Sequence, residues 1–204
     1  MAYSKFTNAD LKEKFGIRIS YHEDLFGNAS PRQPSAFLLE TLKRNLDLAL
    51  MQGTEKARSE LIIAPVFVEL RDQAEKKISI FSGVEFNVDK KLGLWGRADF
   101  LVSRSDYQVV LEAPIVVAIE AKEQDFDGGL TQCAAEMQAT KIFNEQHNTI
   151  VDKIYGCVTT GDIWKFLVME NGQVKMDSTS FDVHEDLNRI LGILYAMALD
   201  KFNN

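Results

Sequence analysis

Apolar residues recur at helical spacing in several stretches of the chain, and these stretches predict its helices. Residues 35–51 give the clearest example, because Ser35 marks a start and Gly53 marks an end. The apolar stripe of this helix consists of Leu38, Leu42, Leu46 and Ala49. The same spacing predicts the other helices, which cover residues 8–15, 54–74, 130–146 and 186–202.

Local signals refine the first and third of these helices. Asn8 is the expected N-terminal cap of the first helix, and Gly16 follows its end. Thr54 is the expected cap of the third. Pro65 lies inside that third helix, and we expect a kink near Ala64 because proline lacks an N–H and its ring clashes with the preceding turn.

Shorter runs, alternating or wholly apolar, lie between the helices and predict strands. Turns at residues 89–93 and 160–162 join four of the strands into two hairpins, and Gly83 is the expected site of a bulge. The predicted strands are residues 17–21, 77–88, 94–103, 114–122, 153–160, 163–170 and 173–176.

This order of elements predicts one α/β domain over residues 1–204, with a central mixed sheet and helices on both faces. The connection from the strand at residues 114–122 to the strand at residues 153–160 passes through a helix. We therefore expect these two strands to be parallel and the crossover to be right-handed.

Composition narrows the classes of function. The net charge of -7 weighs against a strong non-specific nucleic-acid binder, although a local basic groove stays compatible with it. No apolar run approaches the ~18 to 20 residues of a membrane span, and the N-terminus lacks an apolar signal core, so we expect a cytoplasmic protein without membrane contact. Cys133 and Cys157 lack metal-site spacing and are expected to be buried thiols.

The strand at residues 114–122 ends in two charges. It is rich in β-branched residues, which predicts burial, but it closes with Glu120, Ala121 and Lys122. Because side chains alternate along a strand, Glu120 and Lys122 point to the same face. Either these two charges meet other polar groups in a cleft, or the strand end is solvated.

Asp99 favours the first alternative. It lies in the preceding strand as a charge between Ala98 and Phe100, which face the opposite side. If the two strands are neighbours, Asp99, Glu120 and Lys122 converge on one patch. Two carboxylates with water and backbone oxygens suit Mg²⁺, which would polarise a phosphodiester and lower the pKa of a bound water.

An aspartate followed by Glu-x-Lys at the end of an apolar strand resembles the PD-(D/E)XK nuclease superfamily. In that superfamily the helix before the hairpin often supplies an acid, which Glu60 matches, and the helix after the Glu-x-Lys strand often carries a glutamine, which Gln132 or Gln138 matches. The hairpin at residues 158–166 is also similar to one in the N-terminal nuclease domain of type I restriction subunits.

The resemblance covers residues 54–170 and departs from the family pattern in two places. Ala98 stands where the family has proline, and the acidic segment at residues 123–127 follows Lys122 directly and would repel DNA.

The resemblance implies a restriction endonuclease-like fold and a Mg²⁺- or Mn²⁺-dependent nuclease acting on nucleic acid, with DNA the expected substrate. Asp99 and Glu120 would hold the metal, Lys122 would orient the attacking water or stabilise charge on the phosphate, and Glu60 and Gln132 would support the site. A nuclease fold that has become a silent binding or assembly module is the alternative, and a homodimer is the assembly considered.

Simpler interpretations stand beside these. Glu60 is equally well a solvated residue, and Gln132 a cap or surface residue. Glu136 is expected on a helix surface. The residues expected in a solvated loop, on the surface or in packing are Glu123, Asp125, Asp127, His22, His147, His184, Trp95 and Trp164.

Overall fold

The computed structural model of the chain describes residues 2–122 and 126–202. The helices are α1 (Asn8–Phe15), α2 (Ala36–Gln52), α3 (Glu55–Arg58), α4 (Ala64–Gln73), α5 (Phe126–Gln146) and α6 (Val183–Leu199). The strands are β1 (Ile19–His22), β2 (Ser79–Glu85), β3 (Arg97–Ser103), β4 (Ile115–Ala121), β5 (Lys153–Thr159), β6 (Ile163–Glu170), β7 (Gln173–Asp177) and β8 (Phe181–Asp182). In this part of the chain, no helix is long and apolar enough to cross a membrane.

All eight strands belong to one mixed sheet, with the order β1-β7-β6-β5-β4-β3-β2 and β8 paired to β6. Strands β2, β3 and β4 are antiparallel neighbours, and β4 pairs with β5 in parallel through the α5 crossover. Antiparallel pairing continues from β5 through β6 to β7, and β1 joins β7 in parallel at the edge. The predictions of a mixed-sheet α/β fold and of a parallel β4–β5 pair are confirmed.

Helices pack on both faces of the sheet. One apolar core joins α2, α4 and α6 to side chains such as Phe100 and Ile119. The other joins α1 and α5 to side chains such as Leu101 and Ala118. Because neighbouring residues of one strand contribute to opposite cores, Glu120, which follows Ile119, points to the α5 face with Ala118.

Several local predictions need correction. The cap of α1 is Thr7, whose hydroxyl accepts from the Asp10 N–H at 3.2 Å, so the prediction of Asn8 as the cap is wrong. Gly83 has a φ of 62°, but β2 and β3 pair in one continuous register on both sides of it, so the predicted bulge is wrong. Helix α5 begins at Phe126, four residues before the apolar spacing predicted.

The predicted helix over residues 54–74 is divided by a π-helical segment, Ser59–Ile63, between α3 and α4. Proline has no N–H to donate to the carbonyl four residues earlier. Asn45 supplies the missing donor, since its Nδ2 donates to the Leu61 carbonyl at 3.0 Å. The disturbance expected near Pro65 is thus present, as a change of helical period in the turn before it.

Asn144 ties α5 to the first residue of β4. It is 1% exposed, its Oδ1 accepts from the Ile115 N–H at 2.9 Å, and its Nδ2 donates to the Ile115 carbonyl at 2.7 Å. This side chain satisfies both backbone groups of a residue at the start of the strand that ends in Glu120. It therefore fixes α5 along β4.

We expect Asn144→Ala to lower the free energy of unfolding by roughly 2–4 kcal/mol, because it leaves a buried N–H and a buried carbonyl without partners. Urea unfolding followed by circular dichroism measures this change. Gln146→Ala, an exposed position in the last turn of the same helix, is the matched control and should stay within about 0.5 kcal/mol of the parent. Equal midpoints for the two variants would show that the Asn144 bridge contributes little.

Candidate active site at the ends of β3 and β4

Asp99 and Glu120 lie side by side where β3 and β4 stop pairing. The antiparallel register pairs Phe100 with Ile119, and its next step places Asp99 opposite Glu120. The Asp99 Oδ2 accepts from the Ala121 N–H at 2.8 Å, which fixes its carboxylate against the end of β4. Directly opposed residues on neighbouring strands project to the same face. The structure therefore brings together the two acids that the sequence predicted to converge.

Both oxygens of Glu120 are engaged. Oε1 accepts from the Lys122 ammonium, and Oε2 accepts from Gln132 Nε2 at 2.7 Å. The Lys122 ammonium also lies 3.3 Å from Gln132 Oε1, so the three side chains form a closed ring of contacts. Glu120 is 1% exposed. The solvated-strand-end alternative is thus wrong for Glu120, and Gln132, not Gln138, is the glutamine in contact with it.

Glu136 belongs to the same group, although its position in the sequence suggested a helix surface. It is 0% exposed, and Gln132 Nε2 donates to its Oε1 at 3.3 Å. Its Oε2 is buried without a hydrogen-bond partner in the described residues. The expectation of a helix-surface charge is therefore wrong. We refer to Asp99, Glu120, Lys122, Gln132 and Glu136 as the carboxylate cluster.

Burial and mutual repulsion determine the protonation of the cluster. Burial, and next the Asp99 carboxylate, raises the pKa of Glu120 to about 8, although Lys122 opposes this. Burial, followed by the charges of Glu120 and Asp99, raises the pKa of Glu136 well above its usual range. Burial also raises the pKa of Asp99, partly offset by its bond from the Ala121 N–H. The cluster thus retains protons at pH values where exposed carboxyl groups have lost theirs.

Lys122 stays charged in this setting. Burial disfavours its ammonium, but the surrounding carboxylates, Glu120 first and then Glu55 and Asp99, outweigh burial and raise its pKa. Its backbone N–H donates to the Thr159 carbonyl of β5 at 2.8 Å, which holds the residue just beyond β4. Lys122 therefore acts as a fixed cation and hydrogen-bond donor, and it is unsuited to accept a proton near neutral pH.

Helix α5 approaches the cluster so closely that a glycine is required. A Cβ on Gly129 would lie 2.8 Å from Val158 Cγ1 and 2.9 Å from Lys122 Cγ. Only a residue without a side chain lets the first turn of α5 rest on these two groups. Gly129 lies inside the first turn of α5, and this close approach positions Gln132 above Glu120.

The structure separates Glu60 from the cluster. Its side chain is 61% exposed and pairs with Lys56 at 2.8 Å in the π-helical segment, so the proposed supporting role for Glu60 is not seen. Glu55, at the start of α3, contributes after larger causes to the raised pKa values of Glu120 and Lys122 through its negative charge. Glu55 directly follows Thr54. The prediction of Thr54 as the cap of this helix is confirmed, since its side chain accepts from the Ala57 N–H.

Arg58 anchors this helical region beside the cluster. Its Nη1 donates to the Thr160 carbonyl at 2.7 Å and pairs with Asp162 Oδ1 at 2.8 Å, in the turn that joins β5 to β6. Gly161 in that turn has a φ of 86° and packs under Ile62. These contacts hold α3 near the end of β5, which is the strand next to Glu120.

The other expected surface and packing residues fall mostly where they were predicted. The three histidines and Asp127 are exposed, Trp164 is buried in the core, and both cysteines are buried and unbonded. Trp95 is 38% exposed. The expectations for Glu123 and Asp125 lie outside the described residues. Within residues 2–122 and 126–202, no group of three or more His, Cys, Asp or Glu side chains is arranged to hold a metal ion.

Comparison of the chain with protein-family models, with curated proteins and with solved structures finds no match.

Proposed function

We propose that the protein is a divalent-metal-dependent nuclease that hydrolyses phosphodiester bonds of DNA, with the carboxylate cluster as its active site and a restriction endonuclease-like fold. The observation that carries the proposal is the juxtaposition of Asp99 and Glu120 with Lys122 and Gln132 at one end of β3 and β4. These residues match, in order and in the elements that carry them, what the resemblance to PD-(D/E)XK nucleases implies. A cytoplasmic location belongs to the same proposal.

The donor set supports a hard divalent cation. Mg²⁺ is often held by one or two carboxylates together with waters and substrate phosphates, so a cage of three acids is not required. Asp99 and Glu120 are the two carboxylates that would hold it, with Mn²⁺ as an alternative. Three acids, Glu120, Glu55 and Asp99, act on one lysine here, and the repulsion that raises the pKa of Glu120 would be relieved by a second cation.

A bound divalent cation would polarise the phosphodiester and lower the pKa of a coordinated water. Lys122 supplies the fixed positive charge beside it. One of its N–H groups contacts Glu120 and another reaches towards Gln132, and the third has no partner among the described residues. That third N–H is suited to a phosphoryl oxygen on which negative charge develops.

The burial of the cluster favours a second candidate, a silent binding or assembly module. Glu120 is 1% exposed and both of its oxygens are already engaged, so it serves equally as a structural link between β4 and α5. Exposed apolar side chains on α2 would serve an assembly such as a homodimer, with Phe37 at 78% and Met51 at 87% exposure. In this alternative the cluster stabilises the fold and binds no metal.

Incubation of the purified protein with supercoiled plasmid, linear duplex, single-stranded DNA and RNA tests the proposal. We expect cleavage of at least one DNA form with Mg²⁺ or Mn²⁺ and none in EDTA. Isothermal titration with Mn²⁺ should show binding that Asp99→Asn weakens. A protein that neither cleaves any of these substrates nor binds Mn²⁺ would support the silent module.

A further inference from the structure

A row of paired residues extends from the carboxylate cluster across the sheet to a second lysine. The β4–β5 register pairs Glu120 with Val158, and the β5–β6 register pairs Val158 with Lys165. Paired residues project to the same face, so Asp99, Glu120 and Lys165 all lie on the α5 side. With strands about 4.8 Å apart, the Lys165 backbone lies about 10 Å from that of Glu120.

Lys165 lies against an aromatic ring on the α5 side of the sheet. Its ammonium lies 5.1 Å from the centre of the Phe126 ring, at the first residue of α5. It makes no ion pair with any residue in the described part of the chain. It is partly exposed, unlike the buried Trp164 and Phe166 on either side. An aromatic ring holds its position while leaving its N–H groups available to a ligand.

The first turn of α5 lies between the two lysines. Gly129 rests on the Lys122 stem and on Val158, while Phe126, the first residue of the same turn, lies against Lys165. The nearby Asp127 faces elsewhere, because it lines a cavity with Asn8 and Lys12. Lys122 and Lys165 thus present two positive charges on opposite sides of one helical turn.

We propose that Lys165 is a substrate-binding residue, which contacts a backbone phosphate next to the phosphodiester held at Asp99 and Glu120. This inference rests on the proposed nuclease function. The backbones of Glu120 and Lys165 are separated by about 10 Å, and the lysine side chain is a flexible four-carbon stem. This reach suits a neighbouring phosphate of the same nucleic-acid strand. Such a contact contributes to affinity for any nucleic-acid sequence, since phosphates carry no sequence information.

Lys165→Gln tests this role by fluorescence anisotropy with a labelled single-stranded or duplex DNA in Ca²⁺, which separates binding from cleavage. We expect several-fold weaker binding and a decrease of about 1 in the slope of log affinity against log salt. Lys165→Arg, which keeps the charge, should restore most of the affinity. Lys43→Gln, an exposed lysine of α2 on the other side of the sheet, is the matched control and should bind as the parent does.

Cleavage kinetics distinguish failure of this inference from failure of the proposed function. A raised KM with kcat within about twofold of the parent supports a binding role. If the protein cleaves DNA and Lys165→Gln matches Lys43→Gln in affinity, salt slope and KM, the inference is overturned and the nuclease function stands. If binding depends on Lys165 but no metal supports cleavage, the nuclease function fails, and Lys165 is a nucleic-acid contact of a binding module and not a substrate-binding residue. A protein that binds no nucleic acid overturns both.

Discussion

Replacement of Glu120 by glutamine should lower the rate of metal-dependent DNA cleavage at least about 100-fold. Loss of groups that only support a metal ligand costs 10–100-fold, and Glu120 is proposed to be a ligand itself. Glutamine keeps the shape of the side chain and can still accept from Lys122, but it removes the negative charge and turns one acceptor into a donor that faces Gln132 Nε2. The effect is therefore expected on activity without loss of the fold.

Single-turnover cleavage at saturating Mg²⁺ measures this effect, and circular dichroism checks that the variant is folded. Glu145→Gln, at an exposed position of α5, is the matched control and should keep the parental rate. If Glu120→Gln is folded and cleaves at the rate of the control, the carboxylate cluster is not the active site. Asp99→Asn should lose activity to a similar extent, since the two carboxylates are proposed to act on one cation.

The convergence of Asp99 and Glu120 could be predicted from the sequence because it depends on two robust patterns. An apolar β-branched run identifies β4, and period-two alternation fixes the face of Glu120 relative to its neighbours. Strands β3 and β4 are consecutive in the chain, and consecutive strands are usually neighbours in a sheet, so an isolated charge on β3 is expected near the end of β4. The register itself, which sets Asp99 opposite Glu120, required the structure.

Glu136 was missed although a signal for it exists. It lies four residues after Gln132, and this spacing puts both side chains on one face of a helix. Its neighbours in the sequence, Ala135 and Met137, are apolar, and a lone acid in an apolar helical run is unusual on a solvated surface. Helix α5 is buried around most of its circumference, so the usual contrast between a polar and an apolar face is weak there.

The expected supporting role of Glu60 is not seen for a different reason. Sequence periodicity assumes one helical repeat, whereas the chain changes to a π-helical turn at Ser59–Ile63. Such a change shifts the face on which each later residue lies. Pro65 signalled a disturbance but not its form, because the carbonyl it leaves without a donor is satisfied by Asn45, a contact between helices that local sequence does not encode.

The free energy of unfolding of the parent protein should decrease as the pH rises from about 5 to about 9. The pKa of Glu120 is raised from 4.5 to about 8 in the folded protein, and burial raises that of Glu136 in the same direction. Between the unfolded and folded pKa values the folded state binds more protons, so stability is greatest at low pH and declines as these groups lose their protons. Acids with lowered pKa values, such as Asp10, lose their protons at lower pH and do not contribute to this decline.

Glu136→Gln should reduce this decline. The amide cannot ionise, so the variant avoids a second buried negative charge beside Glu120. We expect stability close to that of the parent near pH 5 and higher than that of the parent at pH 9, because burial raises the pKa of Glu136 and the parent must lose that proton as the pH rises. Urea unfolding at a series of pH values, with Glu145→Gln as control, measures the difference. Parallel curves for the parent and Glu136→Gln would mean that Glu136 is not the proton-retaining acid of the cluster, and that the repulsion within it is relieved at Asp99 or Glu120 instead.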